Sequence, residues 1–194
     1  MKNIFKIFLS FILIMMISCD SLLRDSEKPI DPSNTHWEMP TESNVVFNNM
    51  INAFQYREYE SYIKCYSDST TNNNKEFIFV PTATVDYPEK FENWGRSEEL
   101  AYFKNMLSSC PIDSTLEFSI LKEEEINNIG DSIQYQINYE IKVHHNLDNL
   151  NNKFVGSANI WLMKNPQNYW VIYFFEDIST SDEFPNWTDL KEYY

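Results

Sequence analysis

Residues 132–144 read Ser-Ile-Gln-Tyr-Gln-Ile-Asn-Tyr-Glu-Ile-Lys-Val-His, and their alternation decides the fold. Ile133, Tyr135, Ile137, Tyr139, Ile141 and Val143 share one face. Gln134, Gln136, Asn138, Glu140 and Lys142 share the other. Successive side chains of a strand point to opposite sides, so a period of two buries one face and leaves the other wet. The neighbouring segments continue the theme. Thr115–Ile126 is a strand, and Asn128-Ile129-Gly130-Asp131 turns it into the alternating one. After a polar loop at His145–Asn152 come the strand Phe154–Lys164, a turn at Asn165–Asn168 and a last strand at Tyr169–Ile178. This last strand is apolar on both faces, which predicts cover on both sides.

The earlier half is mostly helical in pattern. Glu42–Tyr66 carries Val46, Met50, Ala53 and Phe54 at helical spacing, with Thr41 as the expected cap and a break near Tyr56–Tyr59. Asp68–Asn74 is a polar loop. Glu76–Val85 reads as a strand, with Pro81 marking an edge or a bend. Ser97 is the expected cap of a helix that carries Glu98 and Glu99 in its first turn and stops before Pro111. Thr188–Tyr193 predicts a short terminal helix capped by Thr188. The order is helix, helix, strand, helix and four antiparallel strands. That order predicts an α+β domain with helices on one face of a curled sheet.

Composition removes several function classes. Acidic residues outnumber basic ones 29 to 15, for a net charge of -14, so clustered cations for phosphate are missing and no nucleic-acid partner is expected. With only Gly95, Gly130 and Gly156, the chain has no P-loop, dinucleotide fingerprint or nucleophile elbow. No CxxC or His-ligand spacing is present, so neither a metal nor a cofactor is expected. His144 and His145 are adjacent on a strand, point apart, and read as a solvated pair. Glu123-Glu124-Glu125 reads as a charged sheet edge. Cys65 and Cys110 are either a bridge between two helix ends or two separate half-buried thiols.

Residues 1–18 are set apart as an address. Lys2 and Lys6 precede the apolar run Ile7–Ile17, which is shorter than the roughly 20 residues a membrane span needs. Met16-Ile17-Ser18-Cys19 resembles the lipobox of bacterial lipoproteins, with a small residue directly before the cysteine. The resemblance implies a signal peptide over 1–18, acylation (a palmitate-type anchor) at Cys19, the lipid bilayer as partner, and a place in the bacterial cell envelope, periplasmic or surface-facing. A cleaved secretory peptide with a chance cysteine and a short membrane anchor are the alternatives. Residues 19–42 are rich in turn formers and carry Pro29, Pro32 and Pro40, so they read as a lipidated cysteine and flexible tether. The folded domain is then expected over 43–194.

The element order resembles the cone fold of the nuclear transport factor 2-like superfamily, to which polyketide cyclases and ketosteroid isomerases belong. The likeness is carried by Ala53-Phe54 and Tyr62, by Phe77–Pro81, by Trp94 with Arg96 and Glu99, by Trp170–Asp177, and by Trp187 with Leu190-Lys191. A cystatin-like fold is the runner-up. The resemblance implies a cone of curved antiparallel sheet covered by the N-terminal helices, with a pocket at its open end for a small apolar ligand. Tyr62, Trp94, Trp170 and Asp177 are the candidate pocket-lining residues. Asp177, brought inward after a bulge, is either a base of raised pKa or a structural acid holding a backbone amide or Arg96. Tyr62 either lines the pocket or packs in the core with its hydroxyl at the surface. Trp94, Arg96 and Glu99 are either a clamp for a ligand carboxylate or a structural salt bridge. Two functions follow. One is a non-catalytic binding or structural module of an envelope lipoprotein, its partner a small apolar ligand or another envelope protein. The other is a small isomerase, dehydratase or cyclase. The poverty of His, Arg and Gly favours the first, and no catalytic residue is assigned. A cone plugged by aromatics would remove the second.

Overall fold

A computed structural model describes residues 36–146, 150–180 and 183–194. The expected signal peptide, Cys19 and most of the tether lie outside the described residues. The elements are α1 (Ser43–Tyr56), α2 (Tyr59–Lys64), β1 (Ile78–Val80), a 3-10 turn (Pro88–Phe91), α3 (Arg96–Ser109), β2 (Leu116–Ile129), β3 (Ser132–Val143), β4 (Lys153–Lys164), β5 (Trp170–Ile178) and α4 (Trp187–Tyr193). They form the expected α+β arrangement, a five-stranded sheet in the order β1-β5-β4-β3-β2 with helices against it. The sheet is mixed rather than wholly antiparallel, because β1 runs parallel to β5. The connection through α3 carries the chain from β1 to the opposite edge, so β1 never has to reverse against its neighbour.

The alternating stretch behaves as its pattern requires. Ile133, Tyr135, Ile137, Tyr139, Ile141 and Val143 are all buried. Gly130 takes a positive φ in the two-residue turn between Ile129 and Ser132, where a Cβ would be strained.

The last strand corrects an expectation. Its cover is incomplete: Trp170, Val171 and Ile172 are all buried, but Tyr173 and Phe174 stay half-exposed. A bulge at Tyr173 separates the pairs Leu162–Ile172 and Trp161–Phe174. The extra residue resets the alternation. Trp170 and Ile172 face inward before it, and Phe175 and Asp177 face inward after it. The apolar run therefore reflects one buried face whose register shifts midway, together with Val171, which is buried between Trp170 and Ile172.

Helix boundaries also move. The cap of α1 is Glu42 rather than Thr41, and no side chain bonds to that end. The helix stops at Arg57, which takes φ 58 and sends its guanidinium to the carbonyls of Cys110, Pro111 and Ser114 at 3.3, 2.6 and 2.7 Å. The cap of α3 is Gly95 rather than Ser97, and Glu98 accepts from the Gly95 N–H at 3.0 Å. β1 is shorter than expected, ending before Pro81, which has no N–H for the ladder.

The compact unit begins at His36, not at residue 43. Trp37 packs against the core. The Asn49 amide pairs in both directions with the Glu38 backbone, at 2.9 and 2.7 Å, and the Trp170 N–H donates to the Pro40 carbonyl at 2.8 Å. Residues 36–42 are thus part of the fold rather than of a tether. Their lack of periodicity hid this, because they attach through single contacts and not through a regular face.

Candidate functional site

The concave interior, where a cone pocket would open, holds two buried carboxylates. Glu99 is placed by the first turn of α3 and is fully buried. The Tyr62 hydroxyl donates to its Oε1 at 2.5 Å, and the Trp94 indole N–H donates to its Oε2 at 2.7 Å. The Lys191 ammonium, delivered by α4, pairs with the same Oε2. Tyr66 extends the chain of bonds by donating to the Tyr62 hydroxyl at 2.8 Å. Burial, reinforced by the Glu99 charge, pushes the Tyr62 and Tyr66 hydroxyls well above the usual tyrosine range, so they stay protonated and serve as donors.

Asp177 is held by β5, one step past the bulge's reset of register. It accepts the Tyr139 hydroxyl at 2.6 Å, the Thr188 N–H at 2.7 Å and the Thr188 hydroxyl at 2.8 Å. Burial raises its pKa, and those donors together with the Lys191 charge oppose the rise. Both acids are therefore spent on internal partners.

The element that joins them is α4. Asn186 caps it: its side chain accepts the Asp189 N–H at 3.1 Å, and Asp189 accepts the Asn186 N–H at 2.6 Å. Thr188 is not the cap. Its backbone and hydroxyl go to Asp177, and its oxygen accepts the Thr82 N–H at 3.0 Å. Trp187 is fully buried, gives its N–H to the Tyr139 hydroxyl at 2.8 Å and its indole N–H to the Tyr102 hydroxyl at 3.0 Å. Its ring meets Phe54, Phe118, Tyr139 and Phe175 at 5.1–6.0 Å between centroids. Gly156 makes room for this joint. A Cβ there would meet the Tyr139 hydroxyl, with Tyr139 Cζ at 2.7 Å and the Ile178 carbonyl at 3.1 Å.

Three of the four sequence candidates gather here. Tyr62, Trp94 and Asp177 belong to the interior network, but the Tyr62 hydroxyl is buried, not at the surface. Trp170 does not join them. It lies at the start of β5, paired with Lys164, seven residues along the strand from Asp177. Arg96 pairs with Asp68 at 3.3 Å and not with Glu99 or Asp177, so neither a clamp nor a salt bridge of Arg96 with Glu99 forms, and Trp94, Glu99 and Lys191 come together instead. Cys65 and Cys110 are both free, so the bridge is not formed, and burial pushes both thiols up. His145 is not a solvated bystander. Its Nδ1 lies 2.5 Å from the Tyr194 hydroxyl and its Nε2 3.0 Å from the Asn151 carbonyl, pinning the chain end.

The sequence assigns no site role to Tyr139, Tyr102 or Gly156, and it marks Lys191 only as part of the family likeness near Trp187. Outside the interior, a groove of about 420 Å³ runs between Glu76–Pro81 and Phe91–Gly95, with Phe79 and Trp94 in its wall. Tyr62, Trp170 and Asp177 do not line it. Among the described residues no cluster of three or more metal-ligating side chains occurs, and no helix is long and apolar enough to cross a membrane.

No protein-family model and no curated protein matches the sequence. Solved structures do match, and they carry the expected fold. A nuclear transport factor 2-like superfamily protein from Salmonella enterica aligns with TM-score 0.53 and 9% identity, over 71% of this chain and 87% of its own. A candidate dehydratase of the same fold family from Streptomyces avermitilis aligns with TM-score 0.52 and 10% identity, over 71% and 93%. The beta subunit of benzoate 1,2-dioxygenase from Burkholderia mallei aligns with TM-score 0.51 and 12% identity, over 81% and 95%. The chain therefore has a nuclear transport factor 2-like α+β fold. At these identities the likeness extends to the fold alone.

Proposed function

We propose that this chain is an envelope lipoprotein, anchored through Cys19, whose cone is a closed, non-catalytic module. The observation that carries the second half of this reading is the occupation of the interior by α4. Glu99 and Asp177 are the two buried acids of that interior, and each is enclosed by three internal donors. A general base must lie within hydrogen-bond reach of a substrate proton. The first half rests on Ile17-Ser18-Cys19 after the apolar run. Partners would then meet the outer surface, as another envelope protein or the bilayer itself.

Two measurements test it. Metabolic labelling with a palmitate analogue should mark the wild type and leave Cys19→Ala unlabelled; equal labelling of both would end the anchoring claim. Titration of the folded domain with a panel of small apolar ligands should leave the tryptophan fluorescence unchanged. Saturable quenching by one of them, lost in Trp187→Phe, would show an interior open to ligand and restore the enzyme reading.

A further inference from the structure

Lys191 is the residue of the interior that charge and burial make least expected. Only 1% of it is exposed, and lysines are almost never fully buried unless paired. Its ammonium lies 4.3 Å from the ring centroid of Phe79, 4.6 Å from Tyr102, 5.1 Å from Trp94 and 5.6 Å from Trp187, and it donates to Glu99. Distances under about 6 Å place a cation in the attractive field of an aromatic face. A box of aromatic rings with a carboxylate is the chemistry by which proteins take ammonium groups from other molecules.

Most of that box does not come from α4. Phe79 belongs to β1, Trp94 precedes α3, and Glu99 and Tyr102 are on α3. The terminal helix contributes the guest and one ring, Trp187. The host is thus built by the rest of the cone and is complementary to a positive charge. Without a cation, Glu99 would be an uncompensated buried anion, which is strongly destabilising. Burial pulls the Lys191 pKa down while the Glu99 charge opposes the pull. A primary ammonium suits the site better than a quaternary one, because Glu99 Oε2 receives an N–H. Phe79 and Trp94 also wall the surface groove.

We infer that the cone interior is a recognition site for a primary alkylammonium group, which Lys191 fills in cis and which a separate amine fills when that side chain is shortened. This names the occupant of the interior and rests on the reading of that interior as filled; it is independent of Cys19. The class of molecule able to compete for the site is therefore the primary amine, not the neutral apolar ligand that the fold resemblance implies.

Lys191→Ala in the full chain removes three carbons and the nitrogen, the shape of propylammonium. Thermal unfolding of this variant is followed in propylammonium chloride, in propan-1-ol and in sodium chloride at matched ionic strength. The midpoint is expected to rise by about 3–6 °C once the amine exceeds its dissociation constant roughly tenfold. Propanol and sodium chloride should not produce that rise, the wild type should not respond, and Lys191→Ala combined with Glu99→Gln should lose the response. If Lys191→Ala does not fold alone, the yield of refolded protein in amine against propanol is the readout, with recovery expected only in amine. An equal effect of propanol, a response that survives Glu99→Gln, or no rescue by the amine would overturn the inference. Loss of rescue with α4 still protected would leave the closed, non-catalytic reading standing, whereas an exposed α4 would remove both.

Discussion

The two ends of the same sheet contrast in what they do with charge. Toward β1 and β5, Glu99, Asp177 and Lys191 are each at most 2% exposed and bound to one another's neighbours. Along β2, every residue from Leu121 to Ile129 is exposed, with Glu123, Glu124 and Glu125 in the middle and Leu121, Ile126 and Ile129 beside them. Charge on β2 is cheap and keeps an open edge solvated. Charge in the interior is stable only as a matched set, because a lone buried ion carries its full desolvation cost. Leu121, Ile126 and Ile129 of β2 are surface and the charged residues of the interior are core, so burial here follows partners rather than polarity.

That contrast sets the ranking of substitutions. Trp187→Ala and Lys191→Ala should each lower unfolding free energy by about 3–5 kcal/mol, one by opening a cavity and the other by stranding Glu99. Denaturant titration at neutral pH measures both. A chain starting at Thr41 instead of Ser33 should lose about 2–3 kcal/mol, through Trp37 packing and the bonds of Glu38 and Pro40. An unchanged midpoint would return those residues to the tether. Gly156→Ala should cost about 1–3 kcal/mol by overpacking against Tyr139. Leu121→Ser, on the solvated edge, should change stability by less than about 0.5 kcal/mol. If it cost more than Gly156→Ala, the division between the two regions would be misplaced.

A pH series sharpens the same contrast. Asp177 has a folded pKa above its usual 3.8, so its protonation favours the folded state. Its contribution is full below 3.8 and is lost as pH rises through the higher folded value. The stability of the wild type relative to Asp177→Asn should therefore fall as pH rises across that window. The groups facing it are Tyr139 from β3, Thr188 and Lys191 from α4. Asp68 and Glu140, lowered mainly by hydrogen bonds from Thr70 and from Lys153, act with the opposite sign, and the difference measurement cancels them.

Much of the fold was legible because it is written in short-range pattern. The period of two over residues 132–144 and the order of elements lead to the α+β cone, and the helix break near Tyr56–Tyr59 is present at Arg57. The bulge that turns Asp177 inward was expected as well, although its position at Tyr173 was not. What stayed hidden depends on distant partners. A lysine on a short terminal helix carries no mark of burial until Glu99, 92 residues away, is placed beside it. Gly156 has no turn chemistry; the approach of Tyr139 and of the Ile178 carbonyl explains it. Trp170 and Asp177 share a strand, yet the strand's length keeps them apart.

The claim that α4 is an integral occupant of the cone is tested most directly by native-state hydrogen exchange at Trp187 and Thr188. The first amides of a helix have no intrahelical acceptor and normally exchange fast. Here they donate to Tyr139 and Asp177 in the interior. Both should exchange only through global unfolding, with the same opening free energy as the amides of β3 and β4. Exchange of these two amides through a local opening, while β3 and β4 stay protected, would contradict the account.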